Sequence, residues 1–153
     1  MGRIVKIFLY FLLLLPFSAV ASEDIKCLAS NIYFESRGES LAGQLAVAHV
    51  TVNRVLSPKF PNTVCDVVYQ AKYHELFPLR NKCQFSWFCD GIKEDITDIE
   101  AYEKAKDIAT YVLTAGSLDI TDGALYYHAR TVSPYWNKHM NHTLTIGNHI
   151  FYK

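Results

Sequence analysis

The run Asn31-Ile32-Tyr33-Phe34-Glu35-Ser36-Arg37-Gly38-Glu39 sets one carboxylate, Glu35, among aromatic and aliphatic side chains near the end of a predicted helix. Apolar surroundings penalise the charged form of a carboxyl group, so its pKa rises. A carboxyl that keeps its proton near neutral pH is suited to general-acid catalysis. Glu35 is therefore the candidate catalytic residue; the competing reading is a solvated Glu in a last helical turn. Glycoside cleavage by two carboxylates would need a partner for it at a set separation. Glu39, Asp90 and Asp122 are the residues to consider. Gly38 should turn the chain away before Glu39, which reads as structural, bonding the next helix start or Arg37. Asp90 before Gly91 and Asp122 before Gly123 read as turn residues.

Several elements must hold Glu35 in place. Ile25, Leu28, Ala29 and Ile32 repeat at helical spacing, with Ser22 as N-cap and Gly38 as stop, predicting a helix over 23–37. Glu35 falls in its last turn, beside the apolar stripe. Ser40 caps a second helix over 41–55 that is apolar on nearly every side and belongs at the domain centre. Its Asn53 and Arg54 are read as organising neighbouring turns. Thr63 with Asp66 opens a short third helix to about Ala71. Residues 72–96 carry no long periodic run and read as a loop or short hairpin. Thr97 with Glu100 forms a capping box for an amphipathic helix with Ile99, Tyr102, Ala105, Ile108, Ala109 and Val112 on one face and Gly116 at its end. Ala124–His128 reads as a strand, and Gly147-Asn148 joins two more as a hairpin. The fold class is α+β, mainly helical, with a small C-terminal hairpin or sheet.

Residues 1–21 read as a signal peptide: Arg3 and Lys6, an apolar run from Ile7 to Leu15, then Ala19-Val20-Ala21 as a cleavage signature. The expectation is export of residues 22–153 to the periplasm or the cell exterior, with no stable membrane insertion afterwards; an uncleaved anchor is the alternative. Loss of Arg3 and Lys6 leaves a slightly acidic chain, which argues against a nucleic-acid footprint. The four cysteines, 27, 65, 83 and 89, allow three disulfide pairings. Cys83 with Cys89 would close a small loop and leave Cys27 with Cys65. A zinc site is the rival, although no C-x-x-C pair is present.

The run Asn31–Glu39, followed by Gly43-Gln44, Ala46-Val47-Ala48 and Asn53-Arg54-Val55, resembles the SleB-like cell wall hydrolases, named for a spore-cortex-lytic enzyme. The resemblance continues through Phe60-Pro61, Val64-Cys65, Val68-Tyr69, Cys83-Gln84-Phe85-Ser86, Asp90-Gly91, Gly123–Tyr127, Trp136 and Ile146–Phe151. It implies a single domain with a lysozyme-like fold, of the goose-type or lytic-transglycosylase kind. It implies peptidoglycan glycan strands as partner and the first Glu of E-[AS]-R-G-E, here Glu35, as the acid. Ser36 stands where many relatives have Ala.

The resemblance points to a lytic transglycosylase, in which one carboxylate protonates the glycosidic oxygen and then takes a proton from the C6 hydroxyl of muramic acid. No cofactor is needed, and a monomer is the default. Gln84, Ser86, Tyr126 and His128 are candidate substrate-binding residues. Tyr127, next in an alternating strand, should face away from Tyr126 and His128. Trp87 and Trp136 are either sugar-stacking or core residues. A muramidase with a second carboxylate and a zinc-dependent amidase using His128, His139 and His142 are the alternative enzymes. A sugar-binding module without turnover is the non-enzymatic alternative. His149, at a hairpin turn, reads as solvated.

Overall fold

The computed structural model describes residues 17–153, so the N-terminal part of the expected signal lies outside the described residues. Helix α1 spans Phe17–Ser36. It runs unbroken through Ser22, which is not its N-cap; Phe17, Ala19, Val20 and Ala21 simply extend the helix, alanine being the strongest helix former. Among the described residues no helix is long and apolar enough to cross a membrane.

Helix α2, Leu41–Leu56, starts at the expected cap: the Gly43 N–H donates to Ser40 Oγ over 3.3 Å. Helix α3, Val64–Val68, opens on Thr63, which exchanges bonds with Asp66. It stops three residues short of Ala71, because Ala71–His74 forms strand β1, paired antiparallel with β2, Phe77–Cys83. The segment without periodicity is thus a hairpin, followed by a 3-10 turn at Ser86–Cys89. Helix α4, Ile99–Thr114, is capped by Asp98 rather than Thr97: the Ala101 N–H donates to its carboxylate. Ala105, Ile108, Ala109 and Val112 are buried as expected, but Ile99, at the first turn, is 62% exposed.

Strands β3 (Tyr126–Ala129), β4 (His142–Ile146) and β5 (His149–Tyr152) form an antiparallel sheet in the order β3-β5-β4. Gly147, at φ 55, turns the β4–β5 hairpin. A second 3-10 turn, Tyr135–His139, crosses beside β3.

The apolar residues fall into two clusters. Leu28, Ala29, Ile32 and Tyr33 of α1 pack with Val64, Val67 and Val68 of α3, Trp87, and the buried face of α4. Ala46 and Val50 of α2 pack on Ala124 and Phe151 of the sheet. Because Ala48 of α2 joins the first cluster, α2 is covered on both sides, which is why its sequence is apolar nearly all round. Buried polar groups also tie the helices of this framework together. Asn31 donates to Thr51 and accepts from the Trp87 indole, tying α1, α2 and the 3-10 turn together. Both expected disulfides form, Cys27–Cys65 between α1 and α3 and Cys83–Cys89 around the 3-10 turn.

Candidate active site

Glu35 closes the last turn of α1, where the helix meets β3 of the sheet. It lines a groove of about 620 Å³ together with Arg54, Gln84, Ser86, Tyr126, Tyr127, His128, Trp136 and His149. The Tyr127 hydroxyl donates to Glu35 Oε2 over 2.8 Å. Burial pushes the Glu35 carboxyl above its ordinary value, while the Tyr127 hydrogen bond and the Arg54 charge pull it back. Burial, reinforced by the neighbouring Glu35 charge, holds the Tyr127 phenol well above its usual value, so it stays a donor.

Arg54, buried in the last turn of α2, is held from three sides. Its Nε donates to the Leu125 carbonyl over 2.8 Å. With the Gln84 amide turned so that its oxygen faces the guanidinium, Oε1 accepts from Nη1 at 3.3 Å and Nη2 at 3.1 Å. The guanidinium also sits over the rings of Phe60 and Phe85, at 5.2 and 4.9 Å. Burial lowers its pKa to about 10, which still leaves a full positive charge at neutral pH beside Glu35. Asn53, one residue earlier, donates to Asp119, Thr121 and the Ala124 carbonyl, and so fixes the turn that leads into β3.

The five residues singled out from sequence, Glu35, Gln84, Ser86, Tyr126 and His128, all line this groove. His128 is buried and engaged. Its Nδ1 faces the Ala129 carbonyl at 2.8 Å, so that nitrogen is the donor, while Nε2 meets the Tyr152 hydroxyl at 3.0 Å and Asn137 at 3.3 Å. Trp136 packs edge-on to His128. Trp87 belongs to the core, stacked on Phe34 at 4.7 Å.

Sequence reasoning missed three residues. Tyr127 does face away from Tyr126 and His128, but its face is the one that meets Glu35. Both faces reach the groove because β3 is the edge strand of its sheet. Arg54 was assigned to neighbouring turns; it performs that role and also charges the groove. His149 is buried, not solvated, and packs edge-on to Tyr127 at 5.1 Å. Its Nδ1 has no hydrogen-bond partner, and burial lowers its pKa despite the nearby Glu39, so the ring is neutral. An apolar neighbourhood around a turn histidine was the available signal: Ile146, Ile150 and Phe151 flank it.

The second-carboxylate candidates do not line the groove. The Glu39 carboxylate takes bonds from the Asn148 N–H at 3.2 Å and the Asn148 side chain at 2.9 Å, so it fastens the β4–β5 turn rather than Arg37, while the Glu39 carbonyl accepts from Gln44 of α2 at 2.9 Å. Asp90 accepts the Ile92 N–H as a turn residue, and Asp122, at φ 56 in a turn, does not line the groove. Glu35 is the sole carboxylate among the described groove residues. The described residues also contain no group of three His, Cys, Asp or Glu side chains placed to hold a metal. His142 lies exposed, against Thr145, apart from the groove lining.

The sequence profile described as Cell Wall Hydrolase matches residues 38–152. The chain belongs to the cell wall hydrolase family. The matched region begins just after Glu35, so the geometry above is an independent reason to single out that residue. The chain is 36% identical over 135 residues to a spore cortex-lytic enzyme of Bacillus cereus, a stretch covering 87% of this chain and 45% of the relative. It is 34% identical over 134 residues to the Bacillus subtilis spore cortex-lytic enzyme, covering 86% of this chain and 38% of the relative. The chain thus spans less than half the length of these relatives. Its fold matches the catalytic domain of the germination-specific lytic transglycosylase SleB from Bacillus anthracis, with a TM-score of 0.64 at 36% identity, over 85% of this chain and 93% of that one. The catalytic domain of the B. cereus SleB protein matches equally well, with a TM-score of 0.64 at 34% identity, over 86% and 91% of the two chains. The mixed α+β, lysozyme-like single domain expected from sequence is the fold found.

Proposed function

We propose that this chain cleaves the glycan strand of peptidoglycan between N-acetylmuramic acid and N-acetylglucosamine as a lytic transglycosylase, with Glu35 as acid and then base. The observation that carries this reading is the lone groove carboxylate with its hydrogen bond from Tyr127. That bond occupies Oε2 and leaves Oε1 to hold the acid proton. Oε1 protonates the glycosidic oxygen as the bond to the leaving sugar breaks and positive charge spreads over the muramic ring. The carboxylate then present is stabilised by the Tyr127 donor and the Arg54 charge. It takes the proton of the muramic C6 hydroxyl as that oxygen bonds to C1, giving a 1,6-anhydro end without consuming water. A water-consuming route with two carboxylates would need a second acid, and the groove lining supplies none.

Gln84, Ser86, Tyr126 and His128 are proposed to bind the sugar. Gln84 acts while bonded to Arg54, and Tyr126 and Trp136 offer ring faces to the sugars. A solved catalytic domain similar to this chain over 93% of its own length is described as a lytic transglycosylase, which supports the reading. Two disulfides support action outside the reducing cytosol.

Glu35→Gln keeps the shape and removes the transferable proton. Clearing of purified cell-wall suspensions should fall by roughly 10²–10⁴-fold, the usual contribution of a general acid, while binding to the walls persists. Clearing at the parental rate would refute the assignment.

A further inference from the structure

We propose that a second recess beside the groove binds the peptide arms that the muramic residues of the glycan strand carry, through their carboxylates and amide N–H groups. The recess, about 260 Å³, is lined by Gln70, Ala71, Lys72, Lys82, Cys83 and Gln84. Cys83 and Gln84 also line the catalytic groove, so the two spaces adjoin. A glycan strand seated across Glu35 therefore has its side arms within reach of the recess. The proposal rests on the reading of the groove as a glycan-cleaving site and names the form of substrate it prefers.

Three features fit a peptide. Lys72 and Lys82 both border the recess, no acidic residue does, and among the described residues neither amine has a carboxylate within ion-pair distance. The third cation of the hairpin, Arg80, is engaged elsewhere, with its Nε donating to the Asp90 carbonyl. Gln70 Oε1 is buried without any donor. A buried acceptor without a partner is uncommon; this one is covered in the present arrangement, and a ligand N–H reaches it when the Gln70 side chain turns toward the recess it lines. A peptide offers both complements at once, carboxylates for the lysines and an N–H for Gln70. An anionic phosphate polymer would satisfy the lysines but has no N–H to give. The walls of the recess are also fixed relative to Glu35. The Gln84 N–H donates to the Gln70 carbonyl at 2.8 Å, the Cys83–Cys89 bond anchors the end of β2, and the Gln84 side chain rests on Arg54.

The test compares soluble glycan strands bearing intact peptide arms with the same strands stripped by an amidase. Binding is measured by calorimetry to the full chain carrying Glu35→Gln, so that no turnover intervenes. Stem-bearing strands should bind about five- to tenfold more tightly, the scale of two partly exposed ion pairs. Adding Lys72→Gln and Lys82→Gln should abolish that advantage and leave affinity for stripped strands unchanged; raised salt should shrink it. Equal binding of both strands, or an advantage that survives the double lysine change, overturns the proposal. Cleavage by the unmodified chain, followed in parallel, reports on the catalytic reading alone, so the two can fail separately.

Discussion

One hydrogen bond decides which oxygen of Glu35 carries the proton. Tyr127 donates to Oε2, so in the proposed role of Glu35 as acid the transferable proton belongs on Oε1. The bond favours the carboxylate and holds the Glu35 pKa down against burial. Its removal in Tyr127→Phe has a definite sign. The carboxyl pKa rises further, and the alkaline limb of kcat/KM, where the acid loses its proton, moves to higher pH. Turnover falls by roughly 10- to 100-fold, the range for a hydrogen bond to a charged group, because the carboxylate left after proton transfer loses a donor. A pH–rate profile checks both, and a limb that stays in place or moves to lower pH contradicts the assignment. Glu35 was legible in the sequence because its apolar setting is local, within one helical turn. Tyr127 was not, since the bond spans 92 residues. Alternation fixed its face relative to Tyr126 but could not say which face of an edge strand meets α1.

At the level of elements, Glu39 fastens the β4–β5 turn to the loop between α1 and α2. Its carboxylate lies over Gly147, where a Cβ would overlap Oε2. Gly147 also needs its left-handed backbone, at φ 55. Gly147→Ala should therefore destabilise the fold by about 1–3 kcal/mol from backbone strain, with a further loss from displacing Glu39, read as a lowered urea midpoint. In a Glu39→Ala background only the backbone strain should persist, so the two changes should be non-additive. Equal penalties in both backgrounds would remove the contact from the account. The turn also carries His149 into the groove two residues on, so local stability and site geometry share one anchor. The Gly147-Asn148 hairpin was readable from turn chemistry. Its docking onto Glu39 was not, because nothing local in either segment encodes the other. The β1–β2 hairpin was only half readable, since Leu76 and Phe77 stay exposed and break the alternation that marks a half-buried strand.

Across the whole molecule, two disulfides do different work. Cys27–Cys65 spans 38 residues and joins two helices of the main core, whereas Cys83–Cys89 spans 6 and frames the groove. Chain-entropy arguments assign about 4 kcal/mol to the longer loop and about 2 kcal/mol to the shorter. Replacing Cys27 and Cys65 with Ala should lower the thermal midpoint more than replacing Cys83 and Cys89. The second pair of changes should reduce turnover more, because Gln84 and Ser86 lie inside the small loop. Thermal unfolding and wall clearing on the same samples separate these effects; the reverse ranking would refute the division. The pairing was within reach of the sequence, since the short spacing of Cys83 and Cys89 suggests closure. The groove as a whole was not, because it forms where α1, α2, the loop after β2 and the edge strand β3 converge.

The central claim is that Glu35 works alone, returning to take the C6 proton instead of activating water. It is tested most directly by digesting purified peptidoglycan in water enriched in heavy oxygen and weighing the released muropeptides. The account predicts 1,6-anhydro ends that lack the elements of water and carry no heavy oxygen. Reducing ends labelled with heavy oxygen would contradict it.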